Sequence, residues 1–323
     1  MRQAEPRMTS GDKRRLYFKW ARIAFTIAAV GYLASRVDPA DVLTAFQRLS
    51  PSAALLAISV VVLGLLCGML RWRLLLQAYG AIDIPTWRRT AHLYLVGHFY
   101  NTYAPGGVGG DVIRGVAGRK AFGNLEWMGA TSGVAVVFIE RVIGVSALLV
   151  LAAGASLLRP IPGMEAVRLW AALGVLAATA ALVGIAVAPR LARFLPDKLG
   201  TPLRALPRLF SFWPFLLSIL LSIVIHFVNV VAGHAIVQSL EPSVTFADSA
   251  VVMPVIAASA FFPLTVGGAG VREAAFAALY GFVGVPEASA YAASLSFWGT
   301  QLITAAVGGV INLMVPLSGE RGD

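Results

Sequence analysis

The sequence predicts an all-α polytopic membrane protein. Three observations carry that expectation. Of the 323 residues, 58% are hydrophobic and only 13% charged, with a mean hydropathy of +0.77. A soluble domain carries about 25% charged residues, so this chain has too few to cover a water-facing surface. Several apolar runs reach the roughly 20 residues that cross a bilayer, and two further runs are broken by Pro/Gly-rich turns. The same composition excludes a soluble enzyme, a nucleic-acid-binding domain and a disordered chain. The net charge of +10 therefore reads as basic loops facing the cytoplasm and anionic lipid, not as a nucleic-acid surface.

Residues 1–15 read as a basic cytoplasmic tail, with Arg2, Arg7, Lys13, Arg14 and Arg15. Residues 17–37 are a weaker first span. They lack a small-residue cleavage site, so an uncleaved anchor is expected rather than a signal peptide. Residues 51–70 form a span without a single charge. A broken stretch follows: 90–104, the turn PGGVGGD, then 112–122. Residues 127–158 span with Glu140 and Arg141 near the middle, and 169–188 and 212–237 span cleanly. The second broken stretch is 249–262, PLTVGGAG and 271–284, and 288–317 is the last span. Each limb of a broken stretch measures about 16 to 22 Å as helix, too short to cross. Both read as re-entrant hairpins whose irregular backbone lines a protected cavity.

Charge placement gives the sidedness. Arg71, Arg73, Arg88 and Arg89 follow the second span, and Arg190, Arg193, Lys198, Arg204 and Arg208 sit in the 189–208 loop. All fall inside if the first hairpin returns to its own side. The expected architecture is six spans plus two opposed hairpins, or eight spans if hairpins are counted, with both termini cytoplasmic in a cell inner membrane. The order span, span, hairpin, span occurs twice. Residues 16–323 are thus one transmembrane domain made of inverted repeats, about 16–158 and 167–317. Pro105 precedes Gly109, Gly110 and Arg114 by the offsets at which Pro263 precedes Gly267, Gly268 and Arg272. Opposed copies meeting at the midplane are the pattern of secondary transporters.

Other chemistries find little support. Cys67 is the only cysteine, and His92, His98, His226 and His234 have no metal-ligand spacing. No metal or other cofactor is expected. No Walker loop or nucleophile elbow occurs.

The two tips suggest anion binding. Asn101, Gly106, Gly107, Gly109, Gly110 and Arg114 surround the first; Gly267, Gly268, Gly270 and Arg272 form the second. Glycines let successive N–H groups turn inward as a nest. A helix beginning near Val112 would add its positive end and bring Arg114 into its first turn. An Arg at mid-bilayer costs about 2.5 to 3.5 kcal/mol on insertion scales, which argues for a functional reason to carry two. Asp111, Glu140, Arg141 and Glu273 complete a balanced set for ion pairing or proton coupling. Arg141 is expected to reach Asp111 or the ligand, and Glu140 to reach Arg114 or Arg272; the alternative is a structural ion network.

Weaker features have packing explanations. Gly64-x-x-x-Gly68 and Gly129-x-x-x-Gly133 read as helix contacts. His226, Asn229 and His234 read as interhelical hydrogen-bond formers. His98 and Tyr100 flank the first tip and serve either ligand or packing. Trp20, Trp72, Trp87, Trp127 and Trp213 read as interfacial anchors.

GHFYNTYAPGGVGGDVIR (97–114), ERVIG (140–144) and PLTVGGAGVREAAF (263–276) together resemble the flippase-like lysylphosphatidylglycerol synthase transmembrane family. The resemblance covers roughly 40–315. That family is similar to the lipid-flipping part of multiple peptide resistance factor and includes members associated with hopanoid synthesis. The resemblance implies lipid translocation or lipid-intermediate handling. Multidomain members carry a soluble aminoacyltransferase after the membrane part. Here 318–323 alone follow the last span, so aminoacyl-lipid synthesis is not expected.

The reading is a flippase for an anionic or modified phospholipid, a hopanoid-type lipid or a polyprenyl phosphate. Arg114 and Arg272 would hold the head group in turn. The partner expected is thus a membrane lipid with an anionic head group, with no nucleic acid; homo-oligomerisation stays open. The alternatives are an integral-membrane lipid-modifying transferase and a transporter of a small soluble anion.

Overall fold

A computed structural model of the chain describes residues 38–104, 107–123, 132–191, 208–259 and 269–316, with positions 194 and 196. The described residues are helical, with no strand among them. The tail and the first expected span, 17–37, lie outside them.

The helices start where local chemistry allows. α1 (Pro39–Gln47) begins after Asp38, whose Oδ1 accepts the Ala40 N–H at 2.8 Å. α2 (Pro51–Ala78) opens on a proline, which lacks the N–H that would otherwise go unpaired. α3 (Trp87–Tyr103) is capped by the Thr86 hydroxyl, which accepts from the Arg89 N–H. α4 (Gly109–Arg119) runs on through a 3₁₀ turn, Lys120–Phe122. α5 (Ser132–Leu158) and α6 (Glu165–Leu191) follow. Next come α7 (Phe212–Leu240), α8 (Phe246–Ser259), α9 (Val271–Gly281) and α10 (Glu287–Met314).

Five of these, α2, α5, α6, α7 and α10, are long and apolar enough to cross a membrane. The pairs α3–α4 and α8–α9 occupy the two broken stretches, and no member exceeds 17 residues. At 1.5 Å per residue the longest is about 25 Å, short of the roughly 30 Å hydrocarbon core.

Each short pair sits in its own apolar core. Trp72, Leu76, Leu93, Ile139 and Ile143 pack around the first; Ile236, Met253, Phe276 and Tyr280 pack around the second. The spanning window of α5 is 50% buried and that of α6 only 6%. So α5 is the central helix, and α6 lies at the rim with its apolar surface left for lipid.

Two expectations need correction. The second span does not end at Leu70; α2 continues to Ala78 and carries Arg71 and Arg73 within the fold. Arg73 stacks over Trp87 at 4.3 Å and donates to Thr90. Trp72 is no interfacial anchor: it is fully buried, because the same turn of α2 faces α4 and α5. Trp87 and Trp213 are exposed, as anchors should be.

Backbone contacts between helices depend on glycine. A methyl built at Gly110 would lie 1.9 Å from the Gly97 carbonyl oxygen, one at Gly133 2.3 Å from that of Gly115, and one at Gly308 1.9 Å from that of Leu95. Gly68 makes room for the Tyr94 hydroxyl. Backbone cannot yield as a side chain can, so Gly133→Ala should destabilise the protein by about 1–3 kcal/mol. Gly154 has nothing within 4 Å of such a methyl, and Gly154→Ala should be neutral or slightly stabilising. Thermal unfolding of both variants in detergent checks this; equal midpoints would refute it.

Candidate functional site

The first Gly-rich turn is organised by Asn101. Its Oδ1 accepts the Gly110 N–H at 2.8 Å, and its Nδ2 donates to Asp111 Oδ1 at 3.1 Å. Gly107 adopts φ +65°, open to glycine at little cost. α4 begins at Gly109, three residues before the expected start near Val112, because Gly110 has no Cβ to hold the backbone away from Gly97. Arg114 is therefore the sixth residue of the helix, in its second turn, and not at the dipole end. The Gly110 N–H is already engaged by Asn101.

Arg114 is 7% exposed and its fork is filled by carboxylates. Nη1 donates to Glu140 Oε2 at 2.6 Å and Nη2 to Asp111 Oδ1 at 2.8 Å. Its guanidinium lies 4.8 Å over the Tyr94 ring and 5.9 Å over Trp72. Arg141 donates through Nε to Asp111 Oδ2 at 2.6 Å and through Nη2 to the Gly107 carbonyl. Glu140, 2% exposed, also accepts from Arg71 Nη2 at 2.8 Å; Arg71 Nη1 donates to Ser222 of α7 at 3.0 Å. Arg141 thus meets Asp111, and Glu140 meets Arg114, as the sequence suggested. Glu140 takes Arg71, not Arg272, as its second partner. Arg71 escaped the sequence reading because it follows an apolar run and looked like a loop charge.

The second turn is built differently. Gly267 and Gly268, like Gly106, lie outside the described residues. Gly270, at φ +84°, donates its N–H to Glu273 Oε2 at 2.6 Å, which caps α9. Glu273 Oε1 accepts from Arg272 Nη2 and from the Ser294 hydroxyl. Arg272 Nε donates to Ser294 at 3.2 Å, and the guanidinium lies 4.8 Å over Trp298. Its Nη1 makes no hydrogen bond among the described residues. Matched offsets in sequence thus give unmatched geometry: Arg272 is the second residue of its helix and keeps a donor open.

Arg272 lines a cavity of about 270 Å³ between α5, α7, α8, α9 and α10. The wall is mostly apolar: Leu148, Val230, Met253, Pro254, Ile256, Ala257, Phe297 and Trp298. Pro254 sits inside α8 and removes one helical donor from it. His226, Asn229, Arg272 and Gln301 are the polar lining. His226 Nε2 is buried without a partner. Asn229 Nδ2 donates within its own helix, to the Ile225 carbonyl at 2.8 Å. Asn229 does not form the interhelical bond expected of it, whereas His234 does, to Ser249 at 3.0 Å. The polar neighbours of the first turn face α10 instead: His98 bonds Thr304 and Tyr103 bonds the Leu302 carbonyl. A second cavity of about 280 Å³ lies around Pro160, Ile161, Pro162 and Arg168; it holds none of the residues singled out from sequence.

The sequence profile of the family described as lysylphosphatidylglycerol synthase TM region matches residues 19–309. The chain belongs to that family. No curated protein matches the sequence. Both Gly-rich turns, the Arg114 network and the cavity all lie within the matched span. Membership gives a multi-pass membrane protein with lipid-related work.

The network also sets an energetic expectation. Removing one partner of a buried ion pair leaves the other charge uncompensated and costs about 3–5 kcal/mol. Arg71→Met should show a loss of that order. Arg141→Met should cost less, about 1 kcal/mol or below, since that side chain is 40% exposed. Unfolding in mixed detergent micelles measures both; equal losses would mean that burial does not set the ranking.

Proposed function

We propose that this chain is a lipid flippase of the inner membrane, moving a lipid with an anionic head group: an anionic or modified phospholipid, a hopanoid-type lipid or a polyprenyl phosphate. The observation that carries the reading is the cavity at Arg272. It joins the Arg272 guanidinium, whose Nη1 makes no hydrogen bond among the described residues, to a mostly apolar wall, which suits a charged head group attached to an apolar tail. A guanidinium binds phosphate in paired fashion, and lysine keeps the charge but loses the fork.

Arg272 holds the head group in the present arrangement. Arg114 takes it in the opposite-facing one, when Asp111 and Glu140 exchange partners. Asn101, Gly106, Gly107, Gly109 and Gly110 shape the first turn; Gly267, Gly268 and Gly270 shape the second. Asp111, Glu140, Arg141 and Glu273 are the groups through which ion pairing or protons would be coupled. The two short helix pairs are re-entrant hairpins of an inverted repeat. Their support is their length, their Gly-rich turns and the repeated order of elements. Transferase chemistry is disfavoured by the absence of any carboxylate, thiol or hydroxyl nucleophile from the described cavity wall.

The sidedness is testable in a Cys67→Ser background. Lys120→Cys should react with a membrane-impermeant maleimide from the cytoplasmic side only, and Ser243→Cys from the outer side only; both residues are exposed. Labelling of both from one side would remove the opposed hairpins.

The flippase reading is tested in vesicles with tail-labelled phosphatidylglycerol. A charge-assisted hydrogen bond contributes about 1.5–3 kcal/mol, so Arg272→Ala should slow movement by about 10- to 100-fold, with Arg272→Lys in between. A well-folded Arg272→Ala protein moving lipid at the parent rate would overturn it. Uptake of soluble glycerol phosphate without lipid movement would favour the soluble-anion alternative.

A further inference from the structure

We propose that the cavity at the corner between α5 and α6 seats a zwitterionic phospholipid with a primary ammonium, phosphatidylethanolamine, with Arg168 on its phosphate and Glu165 on its ammonium. This site is separate from the cavity at Arg272 and does not depend on what is held there.

The corner is tied down on several sides. Residues 159–164 join the two helices, and Pro160 and Pro162 remove two backbone donors from the join. Gly163 turns the chain at φ +86°, where a residue with a Cβ would be strained. Arg159 Nε donates to Asp248 Oδ1 of α8 at 3.0 Å, and Asp248 Oδ2 accepts from the Thr245 N–H and hydroxyl. Ile161 and Met164 are buried in the second apolar core. The space left between these parts is about 280 Å³, enough for a head group and the start of its chains.

The floor and the mouth differ in kind. Ile161, Met164 and Val251 make a buried apolar floor, and the Ser156 hydroxyl beside them already donates to the Ala153 carbonyl. Glu165 and Arg168 line the same space and are exposed, so the charges stand at its mouth. They are the first and fourth residues of α6 and share one face of it. Leu157, Leu158 and Trp170, adjoining the cavity in sequence, are exposed, which places the mouth where apolar chains meet lipid head groups.

One cation and one anion at the mouth match a ligand that carries one of each. The Glu165 carboxylate accepts from backbone N–H groups, that of Gly163 at 3.2 Å and its own; these orient it and bring no formal charge. A primary ammonium supplies three donors to such a carboxylate, and a choline supplies none. Arg159 is held by Asp248, whereas Arg168 forms no salt bridge among the described residues, and its fork suits a phosphodiester.

The test is lipid binding to the full chain in maltoside micelles, read by native mass spectrometry and by the thermal midpoint. The probes are phosphatidylethanolamine, phosphatidylcholine, phosphatidylglycerol and soluble glycerophosphoethanolamine. Phosphatidylethanolamine should bind at least fivefold tighter than phosphatidylcholine and raise the midpoint more. Glu165→Gln should bring phosphatidylethanolamine to the phosphatidylcholine level and leave phosphatidylglycerol unchanged; Arg168→Gln should weaken both phosphatidylethanolamine and phosphatidylcholine. Equal binding of phosphatidylcholine and phosphatidylethanolamine in the parent overturns the proposal, and this ranking decides even where a variant fails to fold. A folded Glu165→Gln protein that keeps the preference, or that loses phosphatidylglycerol equally, also overturns it. Glycerophosphoethanolamine binding as well as the lipid overturns the lipid source. Arg272→Ala should leave the preference intact, so failure of the flippase reading and failure of this site are told apart; loss of the preference in that variant would overturn the separateness of the two cavities.

Discussion

The buried carboxylate of Glu140 is the constraint around which the first half of the molecule is arranged. It is the ninth residue of the most enclosed spanning helix, α5, and is 2% exposed. A carboxylate there is tolerable only if cations surround it. Two are brought to it: Arg71 from α2 and Arg114 from α4. To deliver Arg114, α4 must lie against α5 and α3 at backbone distance. That is why Gly97, Gly110, Gly115 and Gly133 fall at the contacts. Arg71 is steadied in turn by Ser222, which ties α7 to the same point. Net stability from such a network is small, since desolvation offsets attraction. Its effect is on arrangement: few packings of these helices satisfy five ionised groups together.

The second half solves a similar problem with less. Arg272 and Glu273 are neighbours in sequence, so they pair without help from a distant helix. Glu273 spends its other oxygen on the helix cap. The result is a local unit whose Arg272 Nη1 makes no bond among the described residues, beside a mostly apolar cavity. Arg114 has both terminal nitrogens bonded to carboxylates, whereas Arg272 Nη1 has no bond among the described residues. The transport proposed above would use such inequality in any one state, and the asymmetry lies in partner choice rather than in residue content.

Much of this was legible in one dimension. Composition and run length found the spanning helices, and the Pro/Gly turns found the two short pairs. Intramembrane charge picked out Glu140, Asp111, Arg141 and Arg114, with two of their pairings. What failed did so for identifiable reasons. Arg71 and Trp72 follow a long uncharged run, and a hydropathy reading gives such residues to water. Only the packing of α2 against α4, α5 and α7 keeps them inside. The start of α4 was missed because glycines suggest a turn, whereas Gly110 serves close contact within a helix. Gln301 was passed over as one polar residue in an apolar span, and Asn229 was given to helix pairing. Neither can be assigned to a cavity without knowing what stands opposite. The first span, Gly106, Gly267 and Gly268 lie outside the described residues.

The network and the cavity are separated by very little. A methyl built at Gly144 would stand 3.8 Å from His226 Nε2 and 3.9 Å from Arg71 Nη1. One glycine on α5 therefore adjoins both the cation that neutralises Glu140 and the imidazole that lines the cavity. Any exchange of partners that frees Arg114 must move charge at Glu140, and Arg71 answers to the same carboxylate. A shift of Arg71 is then felt at His226, because no side chain on Gly144 screens one from the other. Electrostatic interaction in such surroundings falls off far less than in water. The ion network and the cavity thus meet at the bare backbone of Gly144, between Arg71 and His226.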